Sequence, residues 1–224
     1  MKEIINFLKE FMLAPRWELF NKIVDQRTRY LTIVLEDIYQ SQNASAVLRT
    51  CDCFGVQDVH IIENTNQFRV NPDVVLGATK WLNLFQYNQQ SNNTLAAINK
   101  LKEQGYRIVA TTPHTNDVEL DQFDLSKGKF ALFFGSELPG LSNLVLENAD
   151  EFLKIPMFGF TESFNISVSA SIIMHHLVFK LKASDIKWQL SEDERDLILY
   201  NWLKTSINDS DKIEKEYFRR KISA

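Results

Sequence analysis

The stretch FALFFGSELPGLSNLVLENADEFLKIPMFGFTESFNISVSASIIMHHL, residues 130–177, decides the fold. Two short apolar runs in it end abruptly in small, polar or turn-forming residues. FALFF (130–134) runs into GSELPG, and EFLKIPM into FGFTESFN. An unbroken apolar run of strand length predicts a strand buried on both faces, the habit of a parallel sheet. An amphipathic helix over residues 166–181 closes the stretch. Chemistry is expected at the strand ends, where the small and polar residues gather.

Working outward, LTIVLED (31–37) and DVHIIE (58–63) read as two more buried strands. Between them IYQSQNASAVLRTCDCFGV becomes periodic, with Ala46, Val47, Cys51 and Phe54 on one helical face and Gly55 as C-cap. This is a β-α-β unit. A loop, a short helix near 73–77 and a strand over 82–87 follow. Residues 91–104 read as a helix capped by Ser91 or Asn92, with Leu95, Ile98 and Leu101 inward. YRIVATTP (106–113) is a strand, HTNDVELDQFDLSKG a polar loop or short turn, 141–148 a helix and FLKIP (152–156) a strand. The alternation predicts an α/β fold with a mostly parallel sheet and helices on both faces. At the N-terminus Ile4, Ile5, Leu8, Phe11 and Met12 form one helical face, and WELFNKIVDQRTRY is a second helix. From Ser184 the chain is polar and helical, with Trp188 and Trp202 as docking points. The expected organisation is a helical extension (1–29), a sheet domain (30–182) and a second helical extension (183–224).

A chain of 224 residues is long enough for one well-buried α/β core plus extensions. Its 45% hydrophobic and 24% charged content is that of a globular protein. No apolar run approaches the roughly 18 residues of a membrane span. Glu3, Glu10 and Glu18 interrupt the only signal-like stretch, so a cytoplasmic protein with no membrane partner is expected. Cys51 and Cys53 are too few for a thiolate metal site and too close for a relaxed disulfide, so no metal is expected and both read as packed small residues. The net charge is −4, unevenly spread. Residues 1–30 carry six Lys/Arg against four Asp/Glu, and residues 211–224 carry five against three. Both ends are mildly basic around an acidic body, a weak pointer to a phosphate-binding rim.

Familiar α/β chemistries are excluded. The turn DIYQSQNAS after the first strand has no glycine for a dinucleotide fingerprint, and no P-loop, nucleophile elbow or His-Glu-x-x-His is present. Three polar clusters remain: Asn43 with Arg49, Gly135-Ser136-Glu137, and Ser163 with Asn165. Each admits a structural reading, as an N-cap, a surface charge or a helix cap. All three follow strands of a parallel sheet, however, and ligands bind beyond the carboxyl ends of such strands.

At these residues the sequence resembles the SPOUT superfamily, specifically the TrmH group of RNA ribose 2′-O-methyltransferases. The motifs are QNASAVLRTCDCFGVQDVHII, FFGSELPGLS and IPMFGFTESFNISVSASI, in order, within residues 30–181. The resemblance implies a deep C-terminal trefoil knot, a rare exception to ordinary topology. It implies S-adenosylmethionine as methyl donor, held by Thr111, Gly135, Ile155 and Phe164, where the family usually has Leu at the last position. It makes Arg49, Asn43, Glu137, Ser163 and Asn165 the catalytic set. It implies a homodimer acting on tRNA at guanosine 18 of the D-loop, with RNA contacts from Arg16, Arg27, Arg29, Arg219, Arg220 and Lys221. The alternatives are ribosomal RNA, another tRNA nucleotide, or a non-catalytic RNA-binding protein on the same scaffold.

Overall fold

The computed structural model describes residues 1–90, 92–113, 117–137 and 139–222. In chain order the elements are α1 (Lys2–Leu8), α2 (Ala14–Val24), β1 (Leu31–Glu36), α3 (Ser41–Phe54), β2 (Asp58–Ile62), α4 (Pro72–Val75), β3 (Asn83–Tyr87) and α5 (Asn93–Glu103). They continue with β4 (Arg107–Thr111), β5 (Val118–Glu119), β6 (Phe130–Phe134), α6 (Asn143–Asn148), β7 (Glu151–Lys154), α7 (Ile166–Lys182), α8 (Glu192–Ser206) and α9 (Ser210–Ile222). The seven strands form one sheet in the order β3-β2-β1-β6-β4-β7-β5, with every pairing parallel. FALFF is its centre: Leu132 lies opposite Ile33 on one side and Val109 on the other. The next strand, β7, crosses to the far side of β4, so two consecutive strands flank it.

Strand alternation builds two cores. Leu31, Ile33, Leu35, Val109, Phe130, Leu132 and Phe134 face α3 and α7, packing with Val47, Leu48, Cys51, Ile173, Met174 and Leu177. The intervening Val34, Ile108, Ala110, Ala131 and Phe133 face α5 and α6, packing with Ile98, Leu101 and Val145. Helices therefore cover both faces. Gly55 ends α3 at φ 77°, the left-handed conformation that glycine adopts without penalty.

The chain divides into two compact units, residues 28–188 with the sheet and residues 1–27 together with 189–224. In the helical unit Trp202 is buried, with the Phe20 ring at 5.5 Å and the Arg27 guanidinium at 5.3 Å from its ring. In the sheet unit Trp188 packs against the core, and its carbonyl accepts the Thr28 hydroxyl at 2.7 Å.

Four sequence expectations need correction. Phe11 is exposed, because α1 stops at Leu8 and residues 9–11 tighten into a 3₁₀ turn. Leu95 is exposed too; the inward stripe of α5 is Thr94, Ala97, Ile98 and Leu101, with Thr94 turned in to bond Glu36. Cys53 lies exposed on α3 while Cys51 is buried. The presumed polar loop before FALFF buries Leu120, Phe123 and Leu125, and Phe123 meets Phe130 edge-on at 5.0 Å. Asn92 caps α5, accepting from Leu95 N at 3.0 Å; Ser91 lies outside the described residues.

Candidate active site

The carboxyl ends of β4, β6 and β7 and the start of α7 line a cavity of about 770 Å³. Its walls include Thr111, Gly135, Ile155 and Phe164, the four positions expected to hold the methyl donor. They also include Glu137, Ser163 and Asn165. Strand ends are a natural place for such a cavity, since neighbouring connections diverge there and leave backbone groups facing a shared space.

Each wall is fixed locally. The Thr111 hydroxyl donates to the Phe133 carbonyl at 2.7 Å, tying β4 to β6, and Thr112 N donates to the Leu153 carbonyl at 3.0 Å, tying β4 to β7. At the end of β6 the chain folds back on itself. Gly140 N donates to the Ser136 carbonyl at 3.0 Å, with Gly140 at φ 71°. This return presses Gly140 onto Gly135. A β-carbon at Gly135 would lie 2.2 Å from the Gly140 carbonyl carbon and oxygen and 2.3 Å from Leu141 N. Only glycine fits.

Beside the cavity three side chains from three separate segments meet. Asn43 Nδ2, on the first turn of α3, donates to Glu137 Oε1 at 2.6 Å. Asn165 Nδ2 donates to the same oxygen at 3.1 Å and to Asn43 Oδ1 at 3.1 Å. Gln40 Nε2 donates to the other carboxylate oxygen, Glu137 Oε2, at 3.0 Å. The Asn165 side-chain oxygen, Oδ1, meanwhile accepts from Ser167 N at 2.9 Å and caps α7. One side chain thus caps α7 and joins the Glu137 cluster. Ser163 lines the cavity and is exposed.

Arg49 stands apart. It is exposed and is not among the cavity's lining residues. It lies six positions after Asn43 on α3, about 9 Å along the helix and roughly a third of a turn around it.

The expected RNA contacts divide. Arg219, Arg220 and Lys221 are exposed in the last turn of α9, paired with Glu216 and Glu3. Arg16 is exposed, its guanidinium 5.2 Å from the Phe20 ring centre. Arg27 and Arg29 do not fit the expectation. Arg27 is 2% exposed against Trp202, and Arg29 is held 3.0 Å from the Asp58 carboxylate with little solvent access. Arg27 is thus packed on Trp202 and Arg29 paired with Asp58.

Away from the cavity, burial in β2 pushes the His60 imidazole down to about 4. Its ring stacks on Phe85 at 4.8 Å, and its Nδ1 lies 2.9 Å from the Tyr87 hydroxyl.

Sequence reasoning missed Gln40 and Gly140. Gln40 gave no signal beyond polarity. Gly140 did, as the second glycine of GSELPG, three residues after Glu137, where a tight return needs a residue free of a side chain.

Fold and site together define a class: a parallel α/β domain whose ligand cavity is built at strand ends without a glycine-rich phosphate loop. Residues 30–175 match the model of the SpoU rRNA methylase family, and the chain belongs to that family. It is 46% identical over 191 residues, 85% of each chain, to the tRNA (guanosine(18)-2′-O)-methyltransferase of Borreliella burgdorferi. To the enzyme of that name from Aquifex aeolicus it is 27% identical, over 87% of this chain and 92% of the other. The crystal structure of the A. aeolicus TrmH/SpoU tRNA modifying enzyme superposes with a TM-score of 0.75 at 26% identity, covering 86% of this chain and 97% of that one.

Proposed function

We propose that this protein transfers a methyl group from S-adenosylmethionine to the ribose 2′-hydroxyl of guanosine 18 in tRNA. One observation carries the reading: Asn43, Glu137 and Asn165 converge beside the strand-end cavity in a chain 46% identical to an enzyme named for that reaction. The cavity fits the donor chemically, because a nucleoside can be held by strand-end backbone groups and apolar side chains without a phosphate cradle. Gly135 brings backbone against that space, and Ile155 and Phe164 supply apolar walls.

When bound, the donor supplies an electrophilic methyl on a sulfonium, so the protein's task is positioning and removal of the hydroxyl proton. The Arg49 guanidinium is poised to bind a neighbouring phosphate and stabilise the developing alkoxide. Asn43 and Asn165 hold the Glu137 carboxylate by donating to it, and that carboxylate and Ser163 offer polar groups to the ribose. Arg16, Arg219, Arg220 and Lys221 contribute charge for the RNA backbone.

Residues 30–182 form the methyltransferase domain in this reading, and the chain is knotted. The placement of β6 and β7 on opposite sides of β4 supports the knot, as does the superposition on the A. aeolicus enzyme. The protein acts as a homodimer in the cytoplasm. Phe158, Phe160, Val168 and Phe179 support the dimer by leaving apolar surface exposed for a second copy to cover. Among the described residues no helix is long and apolar enough to cross a membrane.

The test is methyl transfer from labelled donor to tRNA transcripts, with the modified nucleotide mapped. A transcript carrying 2′-deoxyguanosine at position 18 is expected to accept no label. Label at another nucleotide, or only in ribosomal RNA, overturns the substrate assignment.

A further inference from the structure

Outside the lining of the cavity, Glu36 at the end of β1 is a carboxylate only 3% exposed. Its partners are all donors. Ser142 N donates to Oε2 at 2.8 Å, while the Ser142 hydroxyl and the Thr94 hydroxyl each donate to Oε1 at 2.7 Å. Ser142 is the N-cap of α6 and follows directly on Gly140 and Leu141, which line the cavity.

The end of β1 and the start of α3 therefore grip the connection after β6 at two points. Upstream, Gln40 and Asn43 hold the Glu137 carboxylate. Downstream, Glu36 holds Ser142. The return itself closes through Gly140 N on the Ser136 carbonyl, with no room for a side chain at Gly135. A turn clamped at both ends keeps its backbone aimed at one place, which lowers the ordering cost of binding. Thr94 bonds the same carboxylate from α5, on the other side of the grip, and also accepts from Asn64 Nδ2 at 2.8 Å.

We infer that Glu36 is a positioning residue for the methyl donor, acting through Ser142 on the return that brings Gly140 and Leu141 against Gly135. The inference rests on reading the cavity as the donor site. Glu36→Gln is nearly isosteric but turns an amide N–H toward converging donors. Loss of a charged, buried acceptor of this kind weakens what depends on it by roughly ten- to a hundredfold. The dissociation constant and KM for S-adenosylmethionine are expected to rise by about that factor, while tRNA affinity, measured separately, stays unchanged. Ser142→Ala should do the same, and Glu36→Gln combined with Ser142→Ala should be no worse than the stronger single variant. Thr94→Val separates positioning from stability: it removes a donor on the α5 side, so it should lower the melting temperature without moving donor affinity.

Unchanged donor affinity in folded Glu36→Gln overturns the inference. So does a loss in Thr94→Val equal to that in Ser142→Ala, which would make the network merely structural. If Glu36→Gln does not fold, Ser142→Ala and Thr94→Val still decide. Wild-type protein that fails to bind the donor sinks the cavity assignment instead, and that outcome is visible before any variant is made.

Discussion

Gly135→Ala places the heaviest demand on the cavity. The added β-carbon would lie 2.2 Å from two Gly140 backbone atoms and 2.3 Å from Leu141 N. Ordinary contacts begin near 3.4 Å, so the return must retreat by more than an ångström. Backbone cannot rotate away as a side-chain tip can, and overpacking of this kind costs about 3 kcal/mol. The strain is relieved most readily by displacing Ser136, Glu137, Gly140 and Leu141, which line the cavity, while β6 itself stays in the sheet core. The loss should therefore appear in ligand binding more than in unfolding. At about 1.4 kcal/mol per decade, the dissociation constant for S-adenosylmethionine rises roughly a hundredfold. Titration calorimetry on the folded variant measures it, with circular dichroism confirming the sheet. Gly159→Ala is the control, since a β-carbon there meets nothing within 4 Å. Equal donor affinity in both variants would refute the claim that the packed return shapes the site.

The buried His60 predicts a pH dependence of stability. Its folded value, about 4, lies below the ordinary imidazole value of 6.5, so its contribution is full above pH 6.5 and is lost as pH falls toward 4, by about 3 kcal/mol. Urea unfolding of wild type and His60→Phe between those limits should show a steeper fall in wild type; parallel curves would contradict it. Arg49→Ala should lower methyl transfer by about a thousandfold while donor binding survives, and retained turnover would remove Arg49 from the mechanism. Replacing Arg219, Arg220 and Lys221 together by Ala should weaken tRNA binding and make its salt dependence shallower by up to about three units of slope, read by filter binding across a salt series; an unchanged slope would clear α9 of phosphate contact.

The sheet was legible because its signal is local. Runs such as FALFF and LTIVLED state their own burial, and Gly55 marks its own helix end. The sites of error are those where a distant partner decides. Leu95 belongs to an apolar period, yet Thr94 is the residue drawn inward, toward a carboxylate 58 positions away in the chain. Arg27 and Arg29 look like free charges in a basic N-terminal segment, but Trp202 and Asp58 claim them. Among site residues, glycine at 135 and polar types at 43, 137 and 165 could be singled out. That Asn43 and Asn165 share one oxygen of Glu137 could not, because no local pattern encodes the meeting of three connections.

The double use of Asn165 narrows what can stand there. Helix starts ordinarily exchange Ser, Thr, Asp and Asn with little penalty. Here one end of the amide accepts from Ser167 N, and the other donates to Glu137 and Asn43. Serine or threonine would keep the cap but not the reach, and aspartate would set a second negative charge against Glu137. A substitution library at this position should therefore yield many folded proteins and very few active ones, separating two properties that capping residues elsewhere carry together.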